Sequence, residues 1–312
     1  MAAKVAFVFP GQGSQSVGMG KALAEAFPEA RAIFERADDA LGEKLSAKCF
    51  EGPDEDLKLT ANTQPAILTV SVAAHAVFAK AWGKAPAYVA GHSLGEWSAL
   101  AAAGAMRLED AVRAVRQRGQ FMQEAVPAGQ GAMAAIIGLA PELVKQACEE
   151  SAQGQVVAPA NYNSPEQTVI AGDAAAVERA GARCKELGAK RALPLPVSAP
   201  FHCALMAPVQ PRLAEVLRGI EIAAPAVPVV TNVEAKPNAD ASRIAELLVK
   251  QVVAPVRWIE CVQAMAAEGV THMVELGPGK VLAGLVKRID KSIEVVNVED
   301  PASLDKALAA LA

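Results

Sequence analysis

The sequence predicts an α/β protein of two bodies: a hydrolase-like large domain with a parallel-rich sheet covered by helices, and an inserted ferredoxin-like small domain of order βαββαβ. Three observations carry this. Apolar runs of strand length alternate with helical periodicity through most of the 312 residues, the pattern of parallel strands joined by crossover helices. From Gly131 to Val197 the elements shorten and run strand, helix, strand, strand, helix, strand. And Gly91-His92-Ser93-Leu94-Gly95-Glu96 sets a serine between two glycines at a strand-to-helix turn, the form of a nucleophile elbow. The expected boundaries are 1–127 with 198–312 for the large domain and 128–197 for the insert.

Taken in order, Lys4 to Pro10 is an apolar run ended by proline, hence a buried strand. It opens into Gly11-Gln12-Gly13-Ser14-Gln15, whose glycines leave backbone donors accessible. The spacing fits neither GxGxxG nor a phosphate loop, so two readings stay open: a plain turn, or an amide that faces an oxyanion. Helical periodicity follows at Lys21 to Leu41 and at Pro65 to Trp82, the second entered through Asn62-Thr63-Gln64-Pro65 with proline in the first turn. His75 within it reads as packed or on the surface. Ala87 to Ala90 is a short strand, and the Ala-rich stretch Trp97 to Ala103 starts the helix behind the elbow. The helix N-terminus there favours the negative charge of an attacking alkoxide and its adduct.

The helix Leu108 to Glu124 holds three arginines in two environments. Arg113 and Arg116 share a face with Glu109 and Gln117, whereas Arg118 has Ala114, Val115, Phe121 and Met122 as its neighbours three and four residues away. A guanidinium pointed into a core needs an anion, and both a structural salt bridge and a carboxylate-bearing substrate would supply one.

The insert runs Ala132 to Leu139 (strand), Pro141 to Ser151 (helix), Val156 to Asn161 (strand), a turn at Ser164-Pro165-Glu166, Thr168 to Ala171 (strand), Ala174 to Leu187 (helix) and Lys190 to Val197 (strand). It leaves through Pro194, Pro196 and Pro200 into Phe201-His202-Cys203 and a helix. A cleft between the two bodies is the natural ligand site, and His202, on the exit loop, is the histidine placed to reach Ser93. His92 is adjacent to the serine and expected to point elsewhere, His272 begins a strand and reads as packed, and Cys203 lacks an elbow of its own. Strand Val227 to Val233, helices Ser242 to Lys250 and Trp258 to Glu268, strand Thr271 to Leu276, helix Val281 to Arg288, strand Ile293 to Val298 and a helix from Pro301 complete the chain.

Composition narrows the class further. Hydrophobic residues are 52% and aromatic residues 4%, so the core is aliphatic. A net charge of −4 without long runs of one sign supports neither nucleic-acid binding nor a basic membrane-facing surface. The five cysteines, Cys49, Cys148, Cys184, Cys203 and Cys261, are scattered without a CxxC pair and read as reduced thiols, not a disulfide frame or a zinc site. With neither a signal-peptide pattern nor an uninterrupted apolar stretch of membrane-spanning length, a soluble cytoplasmic protein is expected; a monomer is expected alongside, on no separate sequence feature.

At nine motifs the chain closely resembles the malonyl-CoA:acyl-carrier-protein transacylases of dissociated bacterial fatty-acid synthesis, and more broadly the acyltransferase domains of polyketide synthases. They are FPGQGSQ (Phe9 to Gln15), NTQPA (Asn62 to Ala66), GHSLGE (Gly91 to Glu96), QRGQFMQ (Gln117 to Gln123), ANYNSP (Ala160 to Pro165), FHCALM (Phe201 to Met206), NVEA (Asn232 to Ala235), KQVVAPVRW (Lys250 to Trp258) and VELGPGKVLAGLVKR (Val274 to Arg288). The resemblance implies Ser93 as the acylated nucleophile, His202 as its base and later acid, the amides of Gln12 and Leu94 as oxyanion hole, and Arg118 as partner of the malonyl carboxylate. It implies Met122, Asn161, Asn163 and Phe201 as substrate-lining residues and a carbonyl at Gln251 that orients the histidine in place of a triad acid. Trp97 and Phe201 depart from the commoner tyrosine and serine; phenylalanine before the histidine keeps the malonyl expectation. Malonyl-CoA and an acidic acyl carrier protein are the implied partners, without a bound cofactor or metal. Lys190, Arg191, Lys287 and Arg288 are the candidates for carrier contact. An acyl hydrolase, a polyketide-type acyltransferase acting in trans and a non-catalytic carrier-binding module are the rival readings.

Overall fold

Val5–Phe9 (β1) is buried at all five positions, which is why VAFVF shows no polar alternation: both faces of its sheet are covered. The structure is a computed structural model that describes residues 3–197 and 199–312, so the expected boundary at Ser198 lies outside the described residues. The other strands are β2 (Tyr88–Gly91), β3 (Gly131–Ile137), β4 (Val157–Ser164), β5 (Gln167–Asp173), β6 (Arg191–Pro194), β7 (Val229–Val230), β8 (Pro237–Asn238), β9 (His272–Leu276) and β10 (Glu294–Val298). The larger sheet has the order β10-β9-β1-β2-β7-β8, parallel except for β8. Phe9 pairs with Gly91, so the loops that follow β1 and β2 emerge side by side at the carboxyl ends of the strands, where open α/β sheets bind their ligands.

The smaller sheet runs β4-β5-β3-β6 and is antiparallel throughout, the strand order of a ferredoxin-like unit. Alternation along β3 gives it two working faces. Ala134 and Ile136 pack with Val144 and Val177 of the helices Pro141–Ser151 and Ala174–Glu186, while Met133 and Ala135 join the core of the large body. β4 is tied to the large body by main-chain bonds: Tyr162 donates to the Val256 carbonyl at 2.9 Å, and Val256 to that of Ala160 at 2.9 Å.

Four local expectations need correction. The helix Lys21 to Leu41 is two, Lys21–Ala26 and Pro28–Leu41, because Pro28 forces Phe27 into extended backbone (φ −128°, ψ 122°). The helix expected from Pro65 starts at Thr60 and contains the proline. Its first turn is held from outside, Ala61 N–H by Gln123 Oε1 at 2.8 Å and Thr63 Oγ1 by the Leu57 carbonyl at 2.6 Å. Extended this way, Thr60–Trp82 has 23 residues and is long and apolar enough to cross a membrane, against the expectation. Yet 67% of its apolar window is buried inside the fold, as in a core helix. Val227 to Val233 yields only the two-residue β7, and the helices Leu45–Glu51 and Asp54–Lys58 were not foreseen.

Candidate active site

Ser93 stands between β2 and the helix Leu94–Ala102 with φ 52° and ψ −105°, a left-handed conformation costly for a residue with a side chain. The two glycines make it possible. A Cβ on Gly91 would lie 1.9 Å from the carbonyl carbon of Gly95, and one on Gly95 would lie 2.0 Å from the carbonyl oxygen of Phe9. Ser93-Leu94-Gly95-Glu96 also matches the S-x-x-E capping pattern, but no side-chain cap forms. Both side chains are turned to other partners.

Ser93 Oγ lies 2.7 Å from His202 Nε2. The other ring nitrogen, Nδ1, is 2.8 Å from the Gln251 carbonyl and 3.2 Å from that of Ala254. Carbonyls only accept, so Nδ1 carries the proton and Nε2 is left to accept from the serine hydroxyl. Burial, assisted by the charge of Arg118, holds the imidazole down at about 3, so it is neutral and can act as a base. Among the described residues, neither the Gln12 nor the Leu94 amide has a hydrogen-bond partner, and both residues line the cavity that Ser93 faces.

That inner cavity, about 100 Å³, is also lined by Arg118, Gln64, Met122 and Phe201. Arg118 is 2% exposed. Its Nη1 donates to Gln64 Oε1 at 2.8 Å, and its Nη2 to Gln251 Oε1 at 3.0 Å and Ser93 Oγ at 3.3 Å. Among the described residues the buried guanidinium thus hydrogen-bonds to amide oxygens and a hydroxyl, not to a carboxylate, and its Nε has no partner. Burial pulls it down to about 10, so it is still charged at neutral pH. A serine hydroxyl, a neutral imidazole, two amides without a partner among the described residues and a buried guanidinium share one small cavity, an arrangement suited to acyl chemistry on a group that carries its own carboxylate.

The family described as acyl transferase domain matches residues 6–305. The malonyl CoA-acyl carrier protein transacylase of Salmonella typhimurium is 55% identical over 303 residues, 97% of this chain and 98% of that protein. The chain belongs to the acyl transferase family. The crystal structure of an acyl carrier protein S-malonyltransferase from Vibrio cholerae is similar to this acyl transferase with a TM-score of 0.96 at 53% identity, over 98% of this chain and 100% of that one. A malonyl-transacylase solved with its type II polyketide carrier protein has a TM-score of 0.96 at 52% identity, over 99% and 100% of the two chains.

A wider cavity of about 640 Å³ adjoins the inner one, sharing Gln12, His92, Asn161, Leu195 and Val197. Its charged lining residues are Lys58, Lys280 and Arg288. Asn163 lies on its wall and meets His92 Nε2 at 2.8 Å, so His92 reaches across to the small domain instead of pointing away from the site. Of the four basic residues named from sequence, Arg288 lines this vestibule. Lys190, Arg191 and Lys287 are exposed outside both cavities, Lys287 beside a separate hollow with Lys291. Cys203 is buried, its thiol pushed up to about 11 by burial, which makes it a poor nucleophile.

Three residues of this acyl transferase were missed from sequence. Gln64 holds one arm of Arg118. Asn232 accepts from the Ser93 amide at 2.7 Å and donates to the Gly91 carbonyl at 2.7 Å. Glu96, 2% exposed, accepts from the Asn232 amide at 3.0 Å and from Gln251 Nε2 at 2.7 Å, and burial raises its carboxyl to about 7. Each lies in a motif string, but the strings alone assign no partners.

Proposed function

We propose that this acyl transferase moves a malonyl group from malonyl-CoA to the phosphopantetheine thiol of an acyl carrier protein, with Ser93 holding the group between the two. The observation that carries this is Arg118: a buried guanidinium that makes no direct ion pair among the described residues, Glu96 being linked to it only through Gln251, and that lies 3.3 Å from Ser93 Oγ in a cavity of about 100 Å³. An acyl group that ends in a carboxylate supplies the missing anion there.

In this reading Ser93 Oγ attacks the thioester carbonyl while His202 Nε2 takes its proton, and the amides of Gln12 and Leu94 receive the oxyanion. The carbon–sulfur bond then breaks, His202 returns the proton to the departing CoA sulfur, and malonyl remains on Ser93 as an ester. The carrier thiol enters by the same vestibule, gives its proton to His202 and attacks the ester; Ser93 leaves and recovers the proton. Met122, Asn161, Asn163 and Phe201 wall the acyl and pantetheine path, the Gln251 carbonyl orients His202, and each step draws on the chain's own groups. We take 1–127 with 198–312 as the catalytic body, 128–197 as the inserted wall, and the cytoplasm as the compartment.

Intact-protein mass after mixing with malonyl-CoA tests it. One malonyl adduct is expected, absent in Ser93→Ala and discharged onto added phosphopantetheinylated carrier. No adduct on the parent protein, or discharge as free malonate while carrier stays unloaded, rules the reading out.

A further inference from the structure

The side chain of Gln251 meets four groups that belong to the site. Its Nε2 faces three acceptors, Glu96 Oε2 at 2.7 Å, the Ser93 carbonyl at 3.1 Å and Asn232 Oδ1 at 3.3 Å. Its Oε1 faces one donor, Arg118 Nη2, at 3.0 Å. Reversing the amide would set oxygen against three acceptors and an NH₂ group against a guanidinium, so the amide has a single allowed direction. Glu96 gives the shortest contact of the three. Asn232 is itself fixed, since its Oδ1 takes the Ser93 amide and its Nδ2 the Gly91 carbonyl.

We propose that Glu96, acting through the side-chain amide of Gln251, is a positioning residue that sets the attitude of Arg118 and so the preference for acyl groups that end in a carboxylate. This inference rests on the malonyl-transfer reading. Without an acceptor at Glu96 the amide of Gln251 loses its shortest contact and is held only by the longer ones to Ser93, Asn232 and Arg118, so its hold on the attitude of Arg118 loosens. The fork then no longer stands ready for a carboxylate, while acetyl, which makes no use of the fork, is less affected. His202 is a separate matter, because it leans on the main-chain carbonyl of Gln251, which a side-chain substitution leaves in place. An acceptor is what the role requires, not a charge. In Glu96→Gln the Asn232 N–H still demands an oxygen at that point, so the amide of Gln251 keeps its direction.

The test compares acylation of the enzyme by malonyl-CoA and acetyl-CoA over a range of concentrations in Glu96→Met, Glu96→Gln, Gln251→Leu and Glu96→Met/Gln251→Leu. In Glu96→Met the KM for malonyl-CoA should rise about tenfold, the effect of one lost charge-assisted contact, and the malonyl-to-acetyl ratio of kcat/KM should fall by a similar factor. Gln251→Leu should do the same, the double variant should fall no further, and Glu96→Gln should keep the parent ratio. An unchanged ratio in Gln251→Leu overturns the inference. So does a Glu96→Gln ratio that falls as far as that of Gln251→Leu, since the charge and not the direction of the amide would then be responsible. If Glu96→Met does not fold, the comparison of Gln251→Leu with Glu96→Gln decides alone. A parent enzyme that takes up no malonyl, or shows no malonyl preference, sinks the functional reading; a parent preference that Gln251→Leu leaves intact sinks only this one.

Discussion

His202 and Gln251 are joined through the main chain, imidazole Nδ1 to carbonyl oxygen at 2.8 Å, in the place where a serine triad would have a carboxylate. A carbonyl dipole fixes the tautomer but does little to stabilise an imidazolium in a buried site.

The first prediction concerns stability and pH. His202 is held down from 6.5 to about 3, chiefly by burial. A depressed histidine favours the folded state while neutral, so its contribution is present above about pH 6.5 and is lost as pH falls toward 3. Glu96 and Glu275, both raised to about 7 by burial, have the opposite sign: they favour the fold at low pH and lose that contribution as pH rises through 7. Comparing His202→Gln with the parent removes these shared terms. Between pH 7 and pH 4 the parent should lose on the order of 2–3 kcal/mol more than the variant in urea unfolding. Equal losses would place the titrating group elsewhere.

Selectivity is the second. Arg118→Ala should cut kcat/KM for malonyl-CoA by about a hundredfold or more, the effect of removing the partner of a buried carboxylate. Acetyl-CoA, which leaves the guanidinium desolvated and unpaired in the parent, should react as well or better. Retained malonyl selectivity in that variant is incompatible with a carboxylate fork.

Much of this fold could be read from periodicity because its strands are buried on both faces and its helices alternate with them. The insert came through most cleanly, with Pro141–Ser151 falling on its expected bounds and the others within a few residues. The misses share a cause. Where tertiary partners substitute for local signals, as Gln123 does for the first turn of Thr60–Trp82, propensity misplaces the boundary. At the site, Ser93 and His202 have local signatures, an elbow and a proline-marked loop, and Arg118 stands out on an apolar face. Gln64, Glu96 and Asn232 have none; they matter only because three separate segments converge on Gln251 and Arg118.

The elbow supplies a third prediction. In Gly95→Ala the new methyl meets the Phe9 carbonyl oxygen at 2.0 Å, a backbone atom that cannot swing aside, so the end of β1 or the helix Leu94–Ala102 must move. A loss of more than about 4 kcal/mol is expected, or failure to fold. Gly13→Ala is the control: φ is 103° but nothing lies within 4 Å of the added carbon, so only backbone strain of about 1–2 kcal/mol applies. Thermal melting of the two variants separates contact from strain, and similar losses would mean that the elbow tolerates a methyl.

The last prediction turns on which surface cation an incoming carrier meets. Arg288, in the last turn of the helix Val281–Ile289, lines the vestibule with Lys58 and Lys280, its Nη1 donating to Gln167 Oε1 at 3.3 Å across the gap to the small sheet. Lys190 is equally exposed but lies outside both cavities. On the reading proposed above, an acidic partner whose prosthetic arm enters the vestibule would pass Arg288, and a charge within a Debye length, about 8 Å at physiological salt, would steer its approach. Arg288→Glu should therefore raise the KM for carrier about fivefold at low salt and weaken its dependence on ionic strength. Lys190→Glu should stay within about twofold of the parent. The two effects scale with proximity to the vestibule, so a Lys190→Glu defect as large as that of Arg288→Glu would move the docking face onto the outer edge of the small sheet.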